Sequence, residues 1–231
     1  MRKILSIAVL SLLAFVGTAV AQDNKPLYLG VTVGYNSFLS ANAAKIPAGA
    51  EAEAPVWTDK AAILGFEAGA YLSPAMRMLV GGGFNRSETP GHSADYFTGY
   101  AETPNRTNMN YTAFVGADFC IDAGSNVKPF VGLRGRGAYC LNTLKYKFDN
   151  AATVAGSEKK YAETWNIGGA VVFGADYMFD GGLIIGCQFD LVSYTYAAVQ
   201  YKQTAGYKPN VGQSNNIGFI SSPTLRVGFN F

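Results

Sequence analysis

The stretch Pro223-Thr224-Leu225-Arg226-Val227-Gly228-Phe229-Asn230-Phe231 ends the sequence and decides how the rest is read. Side chains alternate between the two sides of an extended strand. Leu225, Val227, Phe229 and Phe231 therefore share one side, and Thr224, Arg226, Gly228 and Asn230 share the other. In water the four apolar side chains need a protein core to cover them. In a bilayer the lipid covers them and the polar side turns inward, the pattern of a last strand closing an outer-membrane barrel.

Working outward from that strand, seven earlier segments repeat its alternation. They begin at Leu27 (to about Phe38), Ile63, Met76, Met109, Lys128, Thr164 and Leu183, and the last strand is predicted from near Ile217. In the second, Leu64, Phe66, Ala68, Ala70 and Leu72 oppose Gly65, Glu67, Gly69 and Tyr71. In the fourth, Tyr111, Val115, Phe119 and Ile121 oppose Asn110, Thr112, Gly116 and Asp118. Each segment supplies the ~9–11 residues that a tilted membrane strand requires. Connections alternate between short turns at Pro74, Gly124 and Gly181 and long stretches at about 40–60, 86–107, 142–163 and 197–216. That is the layout of short periplasmic turns and longer outer loops. The expected fold is all-β: an eight-stranded antiparallel transmembrane β-barrel, connected as an up-and-down meander.

The remaining composition narrows the class. Arg2 and Lys3 precede an apolar run from Ile4 to Val20 ending in Ala19-Val20-Ala21, so residues 1–21 read as a secretory signal removed before Gln22, with 22–231 as the barrel domain. The run is marginal for a membrane-spanning helix, and no second long apolar run follows it. The 18 basic residues less Arg2 and Lys3 leave 16, equal to the 16 acidic ones, so the mature chain is formally neutral and offers nucleic acid no electrostatic attraction. Glycine, 27 of 231 residues, exceeds the usual share of about 7% and disfavours helix. A soluble eight-stranded barrel, apolar inside and polar outside, fits less well, because the polar faces hold glycines and isolated charges, too few for a solvated surface.

With the apolar faces in lipid, the inward set contains Glu67, Arg77, Asp118, Arg134, Arg136, Asp176, Asp190 and Arg226, four acids and four bases. An eight-stranded barrel is only wide enough for side chains to fill it, and charges there must be paired. These eight are the candidate lumen charge network. Asn85, Asn166, Gln188 and Asn230 are expected to satisfy leftover donors and acceptors, while glycines such as Gly30, Gly116, Gly132 and Gly186 leave room. A packed lumen is favoured over a narrow gated pore on barrel size.

These features resemble the OmpA/OmpX-like small outer-membrane barrels. The resemblance rests on the signal and its A-x-A site, the eight segments, the terminal Arg226-Val227-Gly228-Phe229-Asn230-Phe231, and the strand opening Lys128-Pro129-Phe130-Val131-Gly132-Leu133. It implies residence in a Gram-negative cell envelope, in the outer membrane, in contact with its lipid and lipopolysaccharide. It also implies insertion by the barrel-assembly machinery, which would read Phe229 and Phe231 as the assembly signal. Anchoring to the cell wall through a peptidoglycan-binding domain is not expected.

Catalytic chemistry finds little support. His92, in Pro90-Gly91-His92-Ser93, is the only histidine and reads as a solvated loop residue, and no Cys/His cluster suits a metal. No enzyme activity, cofactor or metal is expected. The Asn-x-Ser/Thr matches at Asn85, Asn105 and Asn110 are given no role. Lys145, Lys147, Lys159, Lys160, Lys202 and Lys208 could meet lipopolysaccharide phosphates, although interleaved acids favour plain solvated loop charge. Cys120, Cys140 and Cys187 read as unpaired apolar fillers. Tyr35, Tyr111, Tyr139 and Trp165 are expected at the outer rim and Phe119, Tyr177, Phe229 and Phe231 at the inner one, as aromatic girdles. The expected role is structural, supporting envelope integrity, with loops open to adhesion; the alternative is a porin-like channel for ions or small solutes.

Overall fold

The computed structural model describes residues 27–35, 62–90, 105–121, 125–145, 159–202 and 210–231. They form eight strands: β1 (Leu27–Tyr35), β2 (Ala62–Ser73), β3 (Met76–Thr89), β4 (Asn105–Cys120), β5 (Val127–Lys145), β6 (Lys159–Met178), β7 (Leu183–Lys202) and β8 (Asn210–Asn230). Each pairs antiparallel with its sequence neighbour, and β8 pairs with β1, so the sheet closes on itself. Closure leaves no edge, which a sheet needs if its backbone is to cross lipid.

The strands are staggered. From Leu29, successive partners are Ala68, Val80, Val115, Gly135, Gly169, Tyr194 and Ile217. Across the closing seam, however, Leu29 faces Phe229. The ladder climbs as it circles, the stagger that accompanies strand tilt in a small barrel. At the short-turn end, Leu27 N donates to Phe231 O at 3.2 Å and Phe231 N to Leu27 O at 3.0 Å, so the final aromatic is held in the ladder. Gly182, at φ 96°, makes the turn from β6 to β7, a backbone conformation that suits glycine.

Alternation places the apolar side outward in every strand. Phe66 and Ile167 are each 66% exposed, and Leu64, Leu225 and Phe219 are similarly bare. A soluble protein rarely carries so large an apolar surface; in a bilayer it is the solvated face. Phe84, Tyr111, Tyr139 and Trp165 form a continuous aromatic row across β3 to β6, with successive ring centroids 5.0, 6.4 and 4.6 Å apart. Near the short turns, Tyr177 and Phe179 pack edge to face at 4.7 Å. The Tyr35 side chain lies outside the described residues.

Two features depart from the sequence reading. Most strands extend beyond their predicted bounds: Asn142 pairs with Ala162 and Ala197 with Ser214, in stretches read as loop. Above the bilayer the outward side need not be apolar, so hydrophobic periodicity ceases to mark a strand that continues by backbone pairing. Beyond a register shift at the β2–β3 turn, bulges in β7 and β8 also interrupt the alternation. At Leu191–Val192 two successive apolar residues face outward, after which Tyr194 points out and Ser193 and Thr195 point in. On β8, an extra residue near Ile220 and Ser222, with φ of 47° and 55°, shifts the pairing with β7. Cys120, Cys140 and Cys187 are free thiols.

Candidate functional site

The site is the barrel interior near the short-turn end. All eight sequence-predicted charges point inward, and the structure sorts them into two groups. Glu67, Arg77, Asp118, Arg134, Asp176 and Arg226 form one connected network, while Arg136 and Asp190 form a separate pair.

Asp118 on β4 is the hub. Arg77 Nη2 lies 2.8 Å from its Oδ2, Arg134 Nη2 lies 2.6 Å from its Oδ1, and Arg226 Nη1 approaches to 3.6 Å. Asp176 on β6 is the second hub. It receives Arg77 at 3.0 Å and is gripped by the Arg226 fork, Nε to Oδ1 at 2.7 Å and Nη2 to Oδ2. Glu67 accepts a 2.5 Å hydrogen bond from the Tyr28 hydroxyl and lies 3.8 Å from Arg226 Nη1. Three acids face three bases with no net charge. Charges so deeply buried lose several kcal/mol of hydration each, so each needs a close opposite partner.

Aromatic and apolar side chains seal around the ions. The Arg226 guanidinium lies 4.3 Å from the Phe130 ring centroid, and Arg77 lies 4.9 Å from Tyr28. Both are within cation–π range. Tyr28, Leu79 and Ile184 form a buried apolar cluster, with Tyr71, Phe114 and Met178 against it. Glycines make the space: a Cβ on Gly132 would land on Asp118 Oδ1, one on Gly186 on Asp176 Oδ1, and one on Gly228 in the Tyr28 ring.

Arg136 stands apart. It binds Asp190 bidentately at 2.5 and 2.6 Å and borders a cavity of about 80 Å³. Glu67 lines the same cavity, together with Thr32, Thr112, Gln188 and Thr224.

The supporting amides do not all behave as expected. Asn166 donates to Cys140 Sγ at 3.9 Å, and its carbonyl oxygen and that of Gln188 have no hydrogen-bond partner among the described residues. Neither bridges the charges, because the arginines already reach the carboxylates directly. Tyr28 and Phe130 are the contributions that charge counting missed; both lie on the inward parity face. His92, Lys147 and Lys208 lie outside the described residues, as do the side chains of Lys145, Lys159, Lys160 and Lys202. No cluster of His, Cys, Asp and Glu suited to a metal occurs among the described residues.

The sequence profile of the putative OmpA-OmpF-like porin family matches residues 50–231. The chain belongs to this family. Its members and the fold described above place it in the outer membrane. Among solved structures, the chain is similar to Neisserial surface protein A at 14% identity, covering 89% of this chain and 97% of that one, with a TM-score of 0.41. It is similar to a major outer membrane protein from Thermus thermophilus at 10% identity, covering 89% and 99%, with a TM-score of 0.49. It is also similar to Ail, the attachment invasion locus protein of Yersinia pestis, at 8% identity, covering 90% and 97%, with a TM-score of 0.35. No curated protein matches the sequence. For this OmpA-OmpF-like porin family chain, the interior offers dense pairing of buried charges.

Proposed function

We propose that this protein is a non-enzymatic structural barrel that supports envelope integrity while keeping its lumen closed to ions. The observation that carries the reading is Arg226: it is 0% exposed and touches Asp176, Asp118 and Glu67 from three other strands. An ion passing this level must break several buried pairs at once, each costly to leave open. The outer connections are read as surfaces for adhesion or for contact with lipopolysaccharide. In the same reading, residues 1–21 are a removed secretory leader, and Phe229 and Phe231 are read by the assembly machinery during insertion.

The second reading is a small gated pore, favoured by the cavity bordered by Glu67 and Arg136 directly beside the network. Purified protein in planar bilayers separates the two. The sealed barrel gives a baseline with no steady steps in molar potassium chloride. Long-lived openings of porin size would overturn it in favour of the pore.

A further inference from the structure

The outward face of β8 does not specify where along β1 the barrel closes. Leu225, Val227, Phe229 and Phe231 are all apolar and exposed. Sliding β8 by two residues preserves side-chain parity, so lipid meets an apolar face in either register. The selection has to come from the inward face.

We propose that Arg226 and Gly228 set the register of the β1–β8 seam. Arg226 faces Thr32 on β1 and Gly186 on β7. Its guanidinium passes over Gly186, where an added Cβ would stand 3.1 Å from Arg226 Nε, and forks onto Asp176. A two-residue slide moves Arg226 by about 7 Å along the strand. It would then lie beside Gln188 or Ile184, out of the fork geometry, and would leave Asp176 short of its closest cation. Gly228 acts in the same direction. It faces Gly30, and the Tyr28 ring lies across both glycines. A slide one way puts Arg226 beneath that ring, and a slide the other way puts Asn230 there. Either side chain begins with a Cβ that the ring already occupies. Buried ionic groups that fix register at some cost in desolvation are a known physical device. The β8 bulge shifts the pairing with β7, between Gln188 and Asp190, beyond the last described seam pair, Gly34 and Thr224.

Cysteine cross-linking across the seam reads the register directly. In a background lacking Cys120, Cys140 and Cys187, Val31→Cys is paired with Val227→Cys, its native partner, or with Leu225→Cys or Phe229→Cys, the partners in slipped registers. Only material with the mobility of folded barrel on unheated gels is scored. The unaltered seam should cross-link through 227 alone. Thr224→Arg combined with Arg226→Gly moves the arginine–glycine pair two residues along β8, and the cross-link should shift to 225. Arg226→Gln with Asp176→Asn removes the fork with no change in net charge, Glu67 keeping its hydrogen bond from Tyr28, and should give mixed cross-links through 227 and a slipped position. The proposal is overturned if either variant folds with the 227 cross-link alone. It is equally overturned if neither yields folded barrel, since the pair would then be needed for folding as such.

Discussion

Arg226 and Asp176, 50 residues apart in the chain, meet fork to carboxylate inside the barrel and join the last strand to the sixth. Neither faces water, so each depends on the other for the hydration it has lost. The same guanidinium reaches towards Asp118 and Glu67, which makes the final strand the common partner of β2, β4 and β6.

Removing one member of this pair should cost much more than removing both. Arg226→Leu leaves Asp176 with Arg77 alone, and loss of a buried partner typically costs about 3–5 kcal/mol. Arg226→Leu with Asp176→Leu removes the orphaned aspartate, Glu67 keeping only its bond from Tyr28, and should recover part of that loss. Urea titration of the folded fraction in lipid vesicles checks it. Additive losses in the double variant would show that the two residues act independently.

Arg134 and Arg136 are two positions apart on β5 and share a face, yet substituting them should have different consequences. The Arg134 side chain is 1% exposed and lies 2.6 Å from the Asp118 hub, whereas that of Arg136 is 14% exposed and, among the described residues, pairs with Asp190. Arg134→Gln should lower the heating temperature at which the folded band disappears and produce brief current steps in planar bilayers. Arg136→Gln leaves buried Asp190 without its cation and should lower that temperature as well, but it lies outside the hub and should give fewer current steps. Equal effects would mean that the two groups of charges act as one plug.

Gly132→Ala should destabilise the barrel by about 1–3 kcal/mol, the usual cost of forcing an atom into packed space. The added methyl would clash with Asp118 Oδ1 and crowd Arg134 Nη1. Gly135→Ala is the control, because the nearest atoms to its Cβ are 3.8 Å away. A loss at Gly135 matching that at Gly132 would attribute the effect to strand glycines in general.

Much of this architecture was legible because lipid makes side-chain parity consistent. Glu67, Arg77, Asp118, Asp176 and Arg226 could be assigned to the interior from their neighbours alone. Arg77 and Asp118 are direct partners on adjacent strands, but the contact of Arg77 with Asp176 could not be read, since they lie 99 residues apart and meet across the lumen. Local patterns carry no information about such diametric contacts. The bulge at Leu191–Val192 was hidden for a different reason: two adjacent apolar residues fit either parity until the backbone shows that both point outward. Tyr28 was readable as inward, but its bond to Glu67 depends on the register between β1 and β2.

The aromatic row should place Trp165 at the membrane–water boundary. Its indole is 47% exposed on the lipid side and packs 4.6 Å from Tyr139, itself in line with Tyr111 and Phe84. Aromatic rings with a polar atom favour that boundary, where the apolar body meets lipid and the N–H or O–H meets water. Trp57→Phe leaves Trp165 as the only indole, since the chain has two tryptophans. In vesicles of brominated phosphatidylcholine, bromine near the headgroup end of the acyl chain should quench its emission more strongly than bromine near the bilayer centre. Stronger quenching from the centre would move the row into the hydrocarbon. The described strands β4 to β8 would then sit deeper in the membrane than the girdle implies.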